Sequence, residues 1–166
     1  MLDLAENQGR KQPADLPALP GVVITKDRQE LITDGDVWWL RANIDGGGLV
    51  PIDLRPIAGL ASQRFKEIVK RFIAKKATTY ATWSLANIAF AVSRAVRFWS
   101  ARSNEGLIDW SVLRVSDFQA LLSHGLESPA GVRGNDFTHI RAIYAWGCHV
   151  ARLSDFDPSI ALQLKG

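Results

Sequence analysis

A mainly α fold, a bundle of four to five helices behind an irregular or partly β N-terminal extension, is predicted by three observations. From about residue 60 onward, apolar residues recur at intervals of three and four, the period of a helix with one buried face. The segments between these runs are short and hold Gly, Pro, Asn and Asp, which suits a compact bundle. Before residue 60 that period is absent, and short apolar patches alternate with turn residues instead.

In chain order, residues 1–20 contain Pro13, Pro17 and Pro20 among polar residues. Such a segment buries little and is expected to be a mobile arm. Residues 21–60 form the extension. Val22, Val23 and Ile24 are a short β-branched run, Asp34-Gly35-Asp36 is turn chemistry, and Val37-Trp38-Trp39-Leu40 is a compact apolar patch. The stretch NIDGGG at 43–48 is a second turn. Its glycines are not a phosphate loop, because no Lys-Ser/Thr pair follows to open a helix. The spacing leaves hairpin and irregular packing both open. Trp38 and Trp39 are adjacent and cannot both face one core from a regular element.

The first helix is expected over 62–76, with Ser62 as N-cap and Phe65, Ile68, Val69, Phe72 and Ile73 on one face. Lys66, Lys70 and Arg71 fall off that face, and Glu67 can pair with Arg71 at i,i+4. Thr78 or Thr79 is expected to cap a second helix ending near Arg102, about 36 Å long. It is apolar on more than half its circumference, which marks it as central; Trp83 and Trp99, like Trp146 further on, read as core. Ser116, with Gln119 at the capping-box position, opens a short helix to about His124, stopped by Gly125. Asn135 or Asp136 caps a fourth to about Leu153, with Phe137, Ile140, Ile143, Tyr144, Gly147, Val150 and Ala151 inward. Asp157-Pro158 opens a last short segment at 159–164. The helical domain is thus expected over 61–154, followed at 155–166 by the start of a linker.

Net charge is +3 over 166 residues, and its distribution is uneven. Residues 62–104 hold nine basic residues (Arg64, Lys66, Lys70, Arg71, Lys75, Lys76, Arg94, Arg97, Arg102) and one acid, Glu67, giving +8. Residues 1–60 hold six basic and nine acidic, −3, and residues 105–166 five basic and seven acidic, −2. A basic block between acidic flanks points to a polyanionic partner. One cysteine, Cys148, excludes an internal disulfide and reads as a buried thiol in a reducing compartment. No run approaches the ~20 apolar residues of a membrane span, and the N-terminus has no signal-type run. His124, His139 and His149 show no metal-ligand spacing with Cys148. Paired catalytic acids, an activated nucleophile and a cofactor fingerprint are all absent, so no catalytic residue, metal, cofactor or small-molecule ligand is expected.

Several stretches together resemble the N-terminal core-binding (SAM-like) domain of tyrosine recombinases, the phage-integrase-like site-specific recombinases. They are KKATTYATWSLANIAFAVSRAVRFW, VLRVSDFQALL, NDFTHIRAIYAWGCHVARL and DFDPSIALQLKG, in that order, over roughly residues 60–166. The resemblance implies a small helical bundle that clamps one face of double-stranded DNA, alongside other recombinase protomers, in the cytoplasm at the nucleoid. It implies DNA contacts from Lys75, Lys76, Thr78, Thr79 and Tyr80 at the opening of the second helix, and from Arg133, Asn135, Thr138 and Arg141 at the opening of the last long one. Helix N-termini with hydroxyls and cations also suit phosphates on physical grounds. The family's catalytic Arg, Lys, His-x-x-Arg box and Tyr belong to a second domain, expected beyond Gly166. His149-Val-Ala-Arg152 matches the box's spacing, but it lies in a helical apolar pattern with no Tyr after it. The chain alone is therefore expected not to be an enzyme. The competing reading is a helical protein–protein module without DNA binding, using the Trp38-Trp39 patch.

Overall fold

Alternating inward and outward side chains make the first elements strands. A computed structural model describes residues 16–43, 51–103, 106–127 and 133–165, with side chains described for all of these except 43 and 133–135. Strands β1 (Val22–Ile24), β2 (Glu30–Ile32), β3 (Val37–Leu40) and β4 (Ile52–Asp53) form one antiparallel sheet in sequential order. Val23 pairs with Leu31, Leu31 with Leu40, and Trp38 with Ile52. All five of these side chains are buried, as a period of two requires. Trp38 lies in the core with its indole N–H donating to the Gly35 carbonyl at 3.1 Å, while Trp39 is half-buried on the other face. The extension is thus a meander. The turn expected at 43–48 lies, from residue 44 on, outside the described residues.

The expected arm divides at residue 16. Residues 1–15 are outside the described residues, whereas Leu16 and Leu19 pack on the core. The Pro17 carbonyl accepts from Arg71 Nε at 2.8 Å, and the Pro20 carbonyl accepts from the Thr33 hydroxyl. Residues 16–20 thus touch the body through these carbonyls and leucines, partners that sequence spacing does not reveal.

Helix α1 (Gln63–Lys76) starts as expected, with Ser62 Oγ accepting from the Phe65 N–H at 3.0 Å. Phe65, Ile68, Val69, Phe72 and Ile73 are its buried face. Helix α2 (Thr82–Arg102) begins later than expected, and its N-cap is Ala81 with no side-chain cap. Thr78 and Thr79 instead finish α1: their hydroxyls donate to the Lys75 and Lys76 carbonyls at 3.0 and 3.3 Å. The last carbonyls of a helix lack intrahelical partners, and the two threonines that follow the C-cap residue Ala77 reach them instead of capping the next helix. As expected, α2 is central, lying against α1, both following long helices and β4.

Helix α3 (Val115–Glu127) starts one residue before Ser116, which is therefore not its cap. The Asp117 carboxylate reaches back to the Arg114 N–H at 2.8 Å, the acidic half of a capping box shifted by two residues. Gly125 does not stop this helix. Helix α4 (Arg133–Ala145) starts before Asn135 and Asp136, so Asp136 is not a cap. The chain then widens into a π-helical turn, Trp146–Val150, rather than continuing as α-helix to Leu153. Val150, expected inward, is exposed as a result. Asp157 caps the short helix α5 (Pro158–Leu164), accepting from the Ser159 N–H at 2.8 Å. Ala161 and Leu164 of α5 are buried, so the expected linker start folds back onto the body.

The core is a chain of rings. Phe65 stacks on Trp110 at 4.4 Å; Trp110 meets Tyr144 and Phe156; Tyr144 meets Phe118, and Phe118 meets Trp99. The Phe156 ring occupies the space a side chain at Gly147 would need. Among the described residues, no helix is long and apolar enough to cross a membrane. Gly147→Ala drives a methyl into the Phe156 ring and should destabilise by about 1–3 kcal/mol, measured by urea unfolding, whereas Ser111→Ala, at an exposed position, should stay within about 0.5 kcal/mol.

Candidate nucleic-acid interface

Folding divides the basic block into paired and unpaired cations. Lys66 and Lys70 are 8% and 5% exposed, and both ammonium groups meet Asp36 in the β2–β3 turn, at 3.0 and 2.8 Å. They are neither a solvated face nor a DNA contact, since burial at these positions requires a counter-charge. Arg71 bridges Glu67, as the i,i+4 spacing predicts. Arg64 grips Asp155 at 2.8 and 3.1 Å, tying α1 to the α5 approach. Arg94 holds Asp136 bidentately, both contacts at 2.6 Å, tying α2 to α4. Arg94 is thus a structural cation. Lys75, Lys76, Arg97 and Arg102 have no carboxylate partner among the described residues.

The hydrogen bonds from Lys70 and then Lys66 hold the Asp36 carboxyl below the usual carboxylate range, against the opposing effect of its burial. Cys148 is half-buried, and burial pushes its thiol upward.

Of the unpaired cations, Lys75 and Lys76 lie in the last turn of α1, and Arg97 and Arg102 lie toward the far end of α2. Lys75, Thr78 and Thr79 are exposed, and Tyr80 is partly so. Lys76 is half-buried with Nζ over the Phe72 and Tyr80 rings, at 5.5 and 5.2 Å. The N–H groups of Thr79 and Tyr80 donate to the Lys76 carbonyl at 3.0 and 2.8 Å. From the other side, the Lys26 N–H in the β1–β2 turn donates to the Ala77 carbonyl at 2.8 Å. This five-residue group therefore sits at the C-terminus of α1, not at the opening of α2. Lysines are favoured there by the helix dipole whatever else they bind.

From Tyr80 the surface continues along α2. Trp83 is 65% exposed and Phe90 42%, so the expectation that Trp83 is core is overturned. Residues 83, 87, 90, 94, 97 and 101 follow one another at steps of four and three, which is a single stripe. That stripe holds Asn87, Arg94 and Arg97, and these polar residues were the sequence signal that it faces outward. It was masked because apolar residues surround nearly the whole helix. At the far end, Arg102 lies over the Phe98 ring at 5.4 Å.

The second expected group is elsewhere. Thr138 is exposed and Arg141 half-buried, and they line a groove of about 340 Å³ with His149 and Lys165. Arg133 and Asn135 lie in the first turn of α4, with side chains outside the described residues. Between the two groups, Phe72, whose ring lies under Lys76 Nζ, meets Trp146 of the π-helical turn at 5.7 Å. Among the described residues, no cluster of three metal-ligating side chains occurs.

Comparison with protein-family models, curated proteins and solved structures finds no match to this chain. The structure itself is a mainly helical bundle carrying a small antiparallel sheet.

Two outcomes test this surface and the pairing beneath it. Trp83→Ala should alter stability by less than about 0.5 kcal/mol, whereas Trp99→Ala should cost about 3–5 kcal/mol, both by urea unfolding. Asp36→Asn strands the buried Lys66 ammonium and leaves Lys70 only Glu67, at 3.4 Å, and should cost about 3 kcal/mol at neutral pH. Because the folded-state carboxyl lies below its ordinary value near pH 4, the stability from this cluster is fully present above pH 4 and lost as pH falls through the folded-state value. The wild type should show that acid-side loss in a pH series of unfolding midpoints, and Asp36→Asn should show less of it.

Proposed function

We propose that this chain is a double-stranded-DNA-binding module, the core-binding part of a tyrosine-type site-specific recombinase, with strand cleavage assigned to a catalytic domain outside these 166 residues. The observation that carries the reading is the division of the basic block. Acids neutralise five of its nine cations, and the remaining four lie at the α1–α2 turn and along the outer part of α2, among exposed Tyr80, Trp83 and Phe90. Cations on that surface suit phosphates, and Asn87 and the aromatic rings suit base edges and apolar groove contacts. The ordered motifs between residues 60 and 166 add the recombinase part of the proposal. In it, Lys75 and Lys76 neutralise phosphates, the duplex docks along α2, and Thr138 and Arg141 supply a further contact.

A specific observation favours a second reading, a protein–protein module. Trp83 and Phe90 are large apolar side chains in water, which on many proteins marks an interface. The Trp38-Trp39 patch no longer supports that reading, since Trp38 is core. The two readings separate on salt dependence. Duplex binding should weaken with salt at a logarithmic slope of ~0.9 per phosphate contacted, measured by fluorescence anisotropy at several ionic strengths. Lys75→Gln with Lys76→Gln should lower affinity equally for unrelated sequences. No binding at low salt, or binding without a salt slope, rejects the DNA reading.

A further inference from the structure

We infer that the β1–β2 turn is a second phosphate-contacting prong of the duplex-binding surface, with Lys26 and Arg28 as its cations; this rests on the duplex-binding reading above. Nothing in the sequence joins residues 26–28 to the basic block, because residues 29–61, with five acids and two bases, separate them.

The fold closes that gap. The hydrogen bond from the Lys26 N–H to the Ala77 carbonyl, 2.8 Å, sets the β1–β2 turn directly against the Lys75–Tyr80 turn. The turn itself is rigidly based. Thr25 is buried; its N–H donates to the Gln29 carbonyl at 2.9 Å, its carbonyl accepts from the Arg28 N–H at 2.9 Å, and its Oγ1 accepts from the Gln29 N–H at 3.1 Å. Lys26, Asp27 and Arg28 are thereby held out as an exposed three-residue tip. Neither Lys26 nor Arg28 has a carboxylate partner among the described residues. With Lys75 and Lys76, and counting Asp27, the two turns present four cations and one acid, a net +3.

Two details go beyond proximity. Arg28 has φ of 61°, the left-handed region where glycine is the residue of least cost. A hairpin tip of this kind usually places glycine there, so the tip carries a long cation where the smallest residue would fit with least strain. Second, the C-terminus of α1 carries partial negative charge that works against a phosphate. The carbonyls of Lys75, Lys76 and Ala77 are each occupied by donors from Thr78, Thr79, Tyr80 and Lys26. The β1–β2 turn thus covers the last of these carbonyls and adds cations at the same place. The chemistry is that of a phosphodiester backbone, read without regard to sequence, by two prongs from different elements.

The test measures duplex affinity of the 166-residue chain on two unrelated sequences across a salt series. The variants are Lys26→Gln/Arg28→Gln, Lys75→Gln/Lys76→Gln, and Arg114→Gln/Arg152→Gln, which removes the same charge elsewhere. The Lys26/Arg28 variant should lower the salt slope by ~0.9–1.8 and weaken both duplexes about equally, with a clearly smaller change in the Arg114/Arg152 control. Arg28→Gly should leave the unfolding midpoint unchanged or raised while still weakening binding, a split that a merely structural arginine would not give. If Lys75→Gln/Lys76→Gln lowers the slope but Lys26→Gln/Arg28→Gln only matches the control, the prong is overturned and the duplex-binding reading stands. If the wild-type chain binds neither duplex at low salt, both fall.

Discussion

The helical body depends on the ring of Trp110. It is fully buried, stacked on Phe65 of α1 and in edge or tilted contact with Tyr144 of α4 and Phe156 ahead of α5. Through Tyr144 and Phe118 the contacts reach Trp99 on α2. Offset and edge-to-face ring pairs have preferred geometries as well as buried area, so this chain of rings fixes helix orientations where aliphatic packing alone would tolerate sliding. The local irregularities around it follow. The short helical turn Trp110–Val112 delivers Trp110 to the core, and the parallel bridge of Ala61 with Ile108 holds that segment against the start of α1. The π-helical turn after α4 leaves Gly147 facing Phe156 with no side chain between them. Tyr144 adds a polar lock, its hydroxyl accepting from the Asp157 N–H at 2.9 Å.

Around this centre the ion pairs join elements far apart in sequence. Asp36 joins sheet to α1, Asp155 joins the approach to α5 to α1, and Asp136 joins α4 to α2. Each acid comes from a weakly acidic flank, and each cation from the basic block. The charge asymmetry along the chain is thus in large part an intramolecular complement, with bidentate geometry at both arginines. What reaches the surface as positive potential is a smaller and more localised set than the sequence total of +8 indicated.

The legible part of the fold was the part governed by local rules. Helix α1 matched its expected start and face because Ser62 is a strong cap and its apolar spacing is unambiguous. The centrality of α2 followed from its apolar circumference, and the same circumference hid that Trp83 faces out. Caps were misplaced where two donors competed. Thr78 and Thr79 could serve the end of one helix or the start of the next, and only the position of Ala77 in space decides between them. Asp136 had the composition of a cap, but Arg94 on another helix claimed it. The burial of Lys66 and Lys70 had no sequence signal, since their partner lies thirty-odd residues away in a turn. The candidate site was legible as a charge cluster with hydroxyls at Lys75–Tyr80; its context, a helix C-terminus faced by a hairpin, was not.

That context alters the physical basis of the site. A phosphate at a helix N-terminus is held partly by backbone N–H groups and the dipole; one at a helix C-terminus has to be held by side chains, with the carbonyls first occupied. Here every donor that occupies them comes from residues 78–80 or from the Lys26 backbone. The sheet is therefore no mere appendage. It completes the end of α1 while its inner face continues the core through Val23, Leu31, Trp38 and Ile52. The hairpin backbone, held by buried Thr25 and by the sheet beneath it, sets the two turns that carry these cations against each other. In the duplex-binding reading proposed above, a shared backbone base lowers the cost of bringing both sets of cations to one stretch of phosphates.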